Sequence, residues 1–128
     1  MAVAAMLAVQ SAGAETFGNI MAEFARSAKS TPGFRGFSAT NGEQFFKATH
    51  GNDWSCASCH TEDPASNGKH AKTGKLIKPL APLVNAERFT DPAKVEKWFK
   101  RNCNDVLDRV CTPQEKGDVL AWLLSINK

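Results

Sequence analysis

The chain has 128 residues, of which 42% are hydrophobic and 23% are charged, and its net charge at pH 7 is +3. This length and composition suit one globular domain and exclude a disordered chain. The small net charge argues against a nucleic-acid-binding protein, and no apolar stretch reaches the roughly 18 residues that a membrane-spanning helix needs.

An apolar segment, Met1–Gln10, opens the chain and is followed by Ala12-Gly13-Ala14. An apolar run that ends in A-x-A just before the first charge predicts a signal peptide over residues 1–14 and a mature domain over residues 15–128. The alternative is a short apolar helix. Export implies the bacterial periplasm, where thiols oxidise.

After this segment, apolar residues recur at helical spacing, which predicts a first helix from Thr16 to Ser27. Asn41 is the expected cap of a second helix, which leads to the cysteine motif. Residues 61–82 contain three Pro and two Gly without sustained periodicity. We therefore expect an irregular loop there.

Two further helices have clear start signals. Thr90 or Asp91 is the expected cap of one, with Pro92 in its first turn. The other begins with the capping box Thr112-Pro113-Gln114-Glu115. We expect its buried side to carry five apolar residues: Val119, Leu120, Leu123, Leu124 and Ile126. No segment alternates as a strand does, so the sequence predicts an all-α domain.

The segment Cys56-Ala57-Ser58-Cys59-His60 has the C-x-x-C-H pattern that attaches c-type haem. Two thiols three positions apart on one helical turn can bond both vinyl groups of one porphyrin, and the adjacent histidine then reaches the iron. A thioredoxin-like pair would need a βαβ background. A Cys₄ zinc site would need a second pair with similar spacing, whereas Cys103 and Cys111 are eight positions apart. The pattern predicts one covalently bound haem c.

The other two cysteines follow from this assignment. Once Cys56 and Cys59 form thioethers, Cys103 and Cys111 are the pair that remains, and an oxidising compartment favours a disulfide between them. Closing so short a loop would stabilise the fold by about 2 to 3 kcal/mol. A regulatory redox switch is the alternative function of this pair.

The sixth iron ligand cannot be a methionine from the later part of the chain, because no Met follows Met21. The candidates are His50, His70, a lysine, a neutral amide or no ligand. At 100° per residue, Asn102 shares a helix stripe with three apolar residues, Val95, Trp98 and Phe99. An amide on that stripe needs a partner, and iron would be one. The alternative is an amide that caps the helix end or bonds to backbone.

Several segments of the later chain together resemble the SHP family (sphaeroides haem protein) of monohaem, class I-like cytochromes c. The resemblance covers about residues 40–125. It is specific over residues 73–123, where the matching segments are Thr73-Gly74-Lys75, Pro79-Leu80-Ala81-Pro82, Arg88-Phe89-Thr90-Asp91, Val95-Glu96-Lys97-Trp98, Arg101-Asn102-Cys103-Asn104, Cys111-Thr112-Pro113, Glu115-Lys116 and Leu120-Ala121-Trp122-Leu123.

The resemblance implies His60 as the proximal ligand and Asn102 as the distal ligand of ferric iron, with a disulfide between Cys103 and Cys111. It also implies that the ferrous form releases the asparagine and binds O₂ or NO. The redox partner implied is a dihaem cytochrome c. Trp98 and Phe99 are then the expected walls of the haem pocket.

We therefore expect a periplasmic, monomeric cytochrome, with a weak dimer as the alternative. The second functional hypothesis is an electron shuttle in which His70 or His50 is the sixth ligand. The third is a haem enzyme that reduces its bound ligand, so whether the protein catalyses a reaction stays open at this point.

Overall fold

Five helices and one pair of very short strands form the computed structural model, which describes residues 12–127. In chain order the elements are α1 (Ala12–Ala28), α2 (Ala39–Lys47), α3 (Cys56–His60), β1 (Gly68–Lys69), β2 (Leu76–Ile77), α4 (Pro92–Leu107) and α5 (Pro113–Ser125). The predicted helical fold is confirmed.

The first helix begins earlier than the pattern predicts, at Ala12 rather than Thr16. The predicted signal peptide falls mainly on residues 1–11, which lie outside the described residues, so it stays a prediction. Within residues 12–127, no helix is both long enough and apolar enough to cross a membrane.

The main core lies where α1, α2 and α5 meet. Nine buried residues form it, and α4 contributes only Val95. The full set is Phe17, Ile20, Phe24, Phe46, Val95, Val119, Leu120, Trp122 and Leu123. Leu124, which we expected on the buried side of α5, is 48% exposed. It follows Leu123 by one position, and a rotation of 100° takes it off the buried face.

Cap residues were predicted for α2, α4 and α5, and the structure agrees with the prediction for α4 and α5. The Asp91 carboxylate caps α4 by accepting hydrogen bonds from two backbone N–H groups, and Thr112 caps α5 in a complete capping box with Glu115. The predicted cap of α2 is wrong. Ser38 is the cap, and Asn41 is the residue whose N–H donates to the Ser38 Oγ at 3.1 Å.

The predicted irregular loop contains a small antiparallel hairpin, which corrects the expectation of no strands. Gly68 pairs with Ile77, and Lys69 pairs with Leu76. The His70 N–H donates to the Lys75 carbonyl at 2.9 Å, which extends the hairpin toward its turn. Strands of two residues are too short to alternate detectably between polar and apolar positions.

A second, smaller cluster lies at the C-terminal end of α4. Cys103, Val106, Leu107 and Cys111 are buried there, and the half-buried Phe99 packs against this cluster and against the main core. The Asn52 side chain donates to the Val106 carbonyl at 2.9 Å, which connects this end of α4 to the loop before α3.

Candidate functional site

Helix α3 carries the C-x-x-C-H motif. Ser55 caps this helix: its Oγ accepts a hydrogen bond from the Ser58 N–H at 3.1 Å, and the Ser58 Oγ accepts one from the Ser55 N–H at 2.9 Å. Residues three positions apart lie on the same face of a helix, so Cys56 and Cys59 share a face. Both are half-buried free thiols. The local sequence thus sets the geometry that attachment to one porphyrin requires.

The surroundings of α3 favour the uncharged forms of its side chains. Burial raises the pKa of the Cys56 thiol to about 11. Burial, and then the charge of Arg88, lowers the pKa of His60 to about 4. The His60 ring centroid lies 6.0 Å from that of Phe46, a core residue. A neutral imidazole can offer a nitrogen lone pair to a metal, and a thioether carries no charge, so this donor set fits haem c.

The hairpin passes very close to α3. The Ala71 N–H lies 3.3 Å from the Cys59 Sγ, to which it donates. A Cβ at Gly68 would lie 2.3 Å from the Cys59 carbonyl oxygen and 2.9 Å from the His60 Cα. Only glycine permits this approach of two backbones. Sequence reasoning missed Gly68, because no local signal shows which distant backbone a glycine meets.

Asn102 lies inside α4 rather than at its end. The helix continues to Leu107 and ends at Asp108, which has a left-handed backbone with φ 58°. Asn102 is half-buried, and its side-chain amide makes no hydrogen bond with any residue of the part of the chain that is described, residues 12–127. The alternative in which this amide caps the helix or bonds to backbone is therefore wrong.

The two predicted pocket walls lie in different environments. Phe99 is half-buried, and its ring meets that of Phe24 edge-on at a centroid distance of 6.0 Å. Trp98 is 49% exposed, and the Arg101 guanidinium carbon lies 5.5 Å from the centroid of its ring. The role of both residues in a haem pocket stays a prediction.

Cys103 and Cys111 are joined by a disulfide, with their Cα atoms 5.7 Å apart. The bridge connects α4, one residue after Asn102, to the residue before the α5 cap. These sulfurs cannot complete a Cys₄ zinc site with Cys56 and Cys59. Nor does any group of three or more His, Cys, Asp or Glu side chains within residues 12–127 have an arrangement that could hold a metal ion.

His50 and His70, the two histidines considered as alternative sixth ligands, each use a ring nitrogen in a local hydrogen bond. The His50 Nε2 lies 2.8 Å from the Phe45 carbonyl oxygen, to which it donates. The His70 Nδ1 accepts from the N–H groups of Lys72 and Thr73, each at 3.2 Å. The neutral His70 ring then carries its proton on Nε2. An imidazole that binds iron through Nε2 carries it on Nδ1, so these bonds oppose ligation by His70.

The chain matches known sequences over most of its length. The family described as "Domain of unknown function (DUF1924)" matches residues 32–123. Cytochrome c'' from Methylophilus methylotrophus is 48% identical over 101 residues, which are 76% of this chain and 70% of that protein. The cytochrome c-type protein SHP from Cereibacter sphaeroides is 56% identical over 69 residues, which are 54% of this chain and 53% of that protein.

Solved structures agree with these matches. The crystal structure of oxidised cytochrome c'' from Methylophilus methylotrophus has a TM-score of 0.77 at 40% identity, and the alignment covers 89% of this chain and 97% of that one. Oxidised SHP, described as an oxygen-binding cytochrome c, has a TM-score of 0.74 at 40% identity, with 84% and 94% covered. The chain belongs to the family of c-type cytochromes that contains SHP and cytochrome c''. The resemblance to SHP is thereby confirmed.

In this SHP-like cytochrome, the structure brings Cys56, Cys59 and His60 together on α3, and it places Asn102 on α4 beside the disulfide. No hydrogen bond, ion pair or ring contact joins α3 to α4 directly within residues 12–127. The two helices are instead connected through the core and through the loop that precedes α3.

Proposed function

We propose that this chain is a monohaem cytochrome whose ferric iron is held by His60 and Asn102, and whose ferrous iron binds O₂, NO or a similar small ligand. Haem c would be attached through Cys56 and Cys59. The observation that carries the proposal is the half-buried Asn102 amide, which has no hydrogen-bond partner among residues 12–127. A bound haem supplies the one-electron redox couple and the ligand-binding iron.

The methionines and histidines of the chain favour Asn102 as the sixth iron ligand by elimination. No methionine follows Met21, so the usual ligand of an electron-transfer cytochrome is missing from the later chain. His50 and His70 hold backbone groups with the nitrogens described above. The Asn102 amide makes no hydrogen bond with a described residue, so its oxygen is available to a metal.

The strength of an amide ligand would depend on the oxidation state of the iron. An amide oxygen is a hard, weak ligand that suits Fe(III) better than the softer Fe(II). With haem bound, reduction would weaken the hold of the Asn102 side chain on the iron, and the released side chain would leave room for a small ligand. Two relatives fit this behaviour: SHP is named as oxygen-binding, and a solution structure of cytochrome c'' is described in terms of haem-ligand detachment.

Electrons would come from another cytochrome, and a dihaem cytochrome c is the partner that we propose. The location that fits this role is the periplasm, where the Cys103–Cys111 disulfide would be stable. The exposed lysines of the hairpin region, Lys69, Lys72, Lys75 and Lys78, offer a basic surface close to Cys59.

The test compares Asn102→Ala with Asn104→Ala, an exposed amide two positions further along the same helix. We expect ferric Asn102→Ala to change from low spin to high spin in its absorption spectrum, because a carbonyl ligand is lost. We expect Asn104→Ala to keep the parent spectrum. In the parent protein, the anaerobic ferrous form should be high-spin and should bind CO, NO or O₂.

Two results would contradict this function. One is an Asn102→Ala protein with the parent ferric spectrum. The other is a parent protein that stays low-spin in both oxidation states and ignores the gases, which would indicate an electron shuttle with a permanent ligand. His70→Ala would then identify that ligand if it changed the spectrum.

A further inference from the structure

An acidic groove lies between the segment before α3 and the C-terminal end of α4. Its volume is about 390 Å³, and its lining includes Asp53, Trp54, Asp105 and Asp108. The three carboxylates are exposed, and none of them forms a salt bridge with a residue of the described chain, residues 12–127. They are not arranged to hold a metal ion, as noted above for that whole range.

The basic hairpin region, which carries Lys69, Lys72, Lys75 and Lys78, adjoins this groove. The Lys72 Nζ lies 5.2 Å from the ring centroid of Trp54, the half-buried aromatic residue of the groove. The four lysines are exposed, and they form no salt bridge with any described residue. Opposite charges therefore lie next to each other on one side of the molecule without pairing within one chain.

A surface on which an acidic and a basic region adjoin is complementary to itself. When two copies face each other across a two-fold axis that passes between the two regions, the hairpin region of each copy meets the groove of the other. Two equivalent sets of charge contacts then form together. The contact of Lys72 with Trp54 also shows that the aromatic ring of the groove can hold an ammonium group.

We propose that this side of the molecule binds a second copy of the chain, with the lysines of each hairpin region against the acidic groove of the other copy. The contact depends on exposed charges, so the dimer is weak and dissociates at high salt. The Ala71 N–H contacts the Cys59 Sγ, so the dimer brings two C-x-x-C-H motifs toward each other and favours electron exchange between two bound haems. That consequence rests on haem attachment, which is part of the proposed function, whereas the dimer itself does not.

Other carboxylates are poorer partners for the hairpin region of a second copy. Four of them already pair with a lysine or arginine of their own chain: Glu23, Glu43, Glu96 and Glu115. Asp118 is buried and accepts hydrogen bonds from within the fold. The acidic groove instead presents three exposed, unpaired carboxylates together. An electron donor docked on the hairpin region would displace the second copy, because both would use the same lysines.

The test measures the mass of the haem-loaded protein by analytical ultracentrifugation. The parent protein should dimerise at low salt, with a dissociation constant that rises about tenfold at high salt. The groove variant, Asp105→Lys with Asp108→Lys, and the hairpin variant, Lys72→Glu with Lys75→Glu, should each be monomeric alone, because like charges then face each other. Their equimolar mixture should dimerise, because each hairpin region again meets a groove of opposite charge.

The matched control for the mixture is Lys29→Glu with Lys94→Glu, which has the net charge of the hairpin variant but keeps the parent hairpin region. A fluorescently labelled groove variant should bind the hairpin variant and should not bind this control. Equal binding to both would overturn the proposal, and so would a mixture that stays monomeric. A parent protein that stays monomeric at low salt and high concentration would overturn it without any variant. None of these results depends on Asn102, whose spin-state test succeeds or fails separately.

Discussion

At the scale of single residues, Asp118 is a buried carboxylate that connects α5 to the segment before α2. Its Oδ1 accepts from the Ser38 N–H at 2.8 Å and from the Gln114 side chain at 2.8 Å. Removing the acceptor leaves a part-buried N–H group without a partner, which costs about 1 to 3 kcal/mol. We expect Asp118→Ala to lower the free energy of unfolding by that amount.

Urea unfolding of the ferric, haem-loaded protein would measure this loss. Asp118→Asn retains an oxygen acceptor, so its free energy of unfolding should fall less than that of Asp118→Ala. Asp105→Ala removes an exposed carboxylate and should change the unfolding free energy little. Equal stabilities for Asp118→Ala and Asp105→Ala would contradict the structural role of Asp118.

Contacts between residues far apart in the chain, such as that of Asp118 with Ser38, could not be predicted from the sequence. The C-x-x-C-H spacing and the caps at Asp91 and Thr112 are visible because neighbouring residues complete them. Asp118 lies on α5 among apolar positions, and its partner Ser38 is 80 positions away, so no local pattern reveals the pair. Trp98 differs from its two neighbours on the predicted apolar stripe, because 49% of it is exposed whereas Val95 is buried and Phe99 is half-buried.

At the scale of elements, the close crossing of α2 and α5 holds the core together. A Cβ at Gly42 would lie 1.9 Å from the Asp118 carbonyl oxygen, which is backbone and cannot rotate away. We expect Gly42→Ala to push these helices apart and to destabilise the protein by about 1 to 3 kcal/mol, despite the better helix propensity of alanine.

A matched control lies in α1. A Cβ at Gly18 would meet nothing within 4 Å, so Gly18→Ala should stabilise the protein by up to about 1 kcal/mol. Thermal unfolding of the haem-loaded proteins should therefore shift in opposite directions for the two substitutions. A shift of the same sign and size in both would show that the crossing tolerates a Cβ.

The contact between α2 and α5 also explains why the predicted cap of α2 is wrong. Asn41 is a good capping residue by type, but the Ser38 N–H is bound to the Asp118 carboxylate, and this bond places the helix start at Ser38. The tertiary contact therefore decides between two adequate local signals. The hairpin was missed for a related reason, because its two-residue strands depend on the close pass of Gly68 along α3.

At the scale of the whole molecule, the charges are unevenly placed around the haem-binding motif. The hairpin region carries Lys69, Lys72, Lys75 and Lys78, all exposed and without a salt bridge to any described residue. The Ala71 N–H contacts the Cys59 sulfur, so a partner docked on this surface would lie close to the C-x-x-C-H motif. A local basic surface can steer an acidic partner although the net charge is only +3.

We therefore expect the double substitution Lys72→Glu with Lys75→Glu to slow electron transfer from a reduced dihaem cytochrome c about tenfold at low ionic strength, because electrostatic steering is reversed. Stopped-flow spectroscopy would measure the rate, and high salt should remove the difference by screening. Lys29→Glu with Lys94→Glu changes the net charge equally at exposed positions of α4 and of the turn after α1, so it should slow the reaction much less. Equal effects of the two pairs would mean that net charge, and not the hairpin surface, attracts the partner.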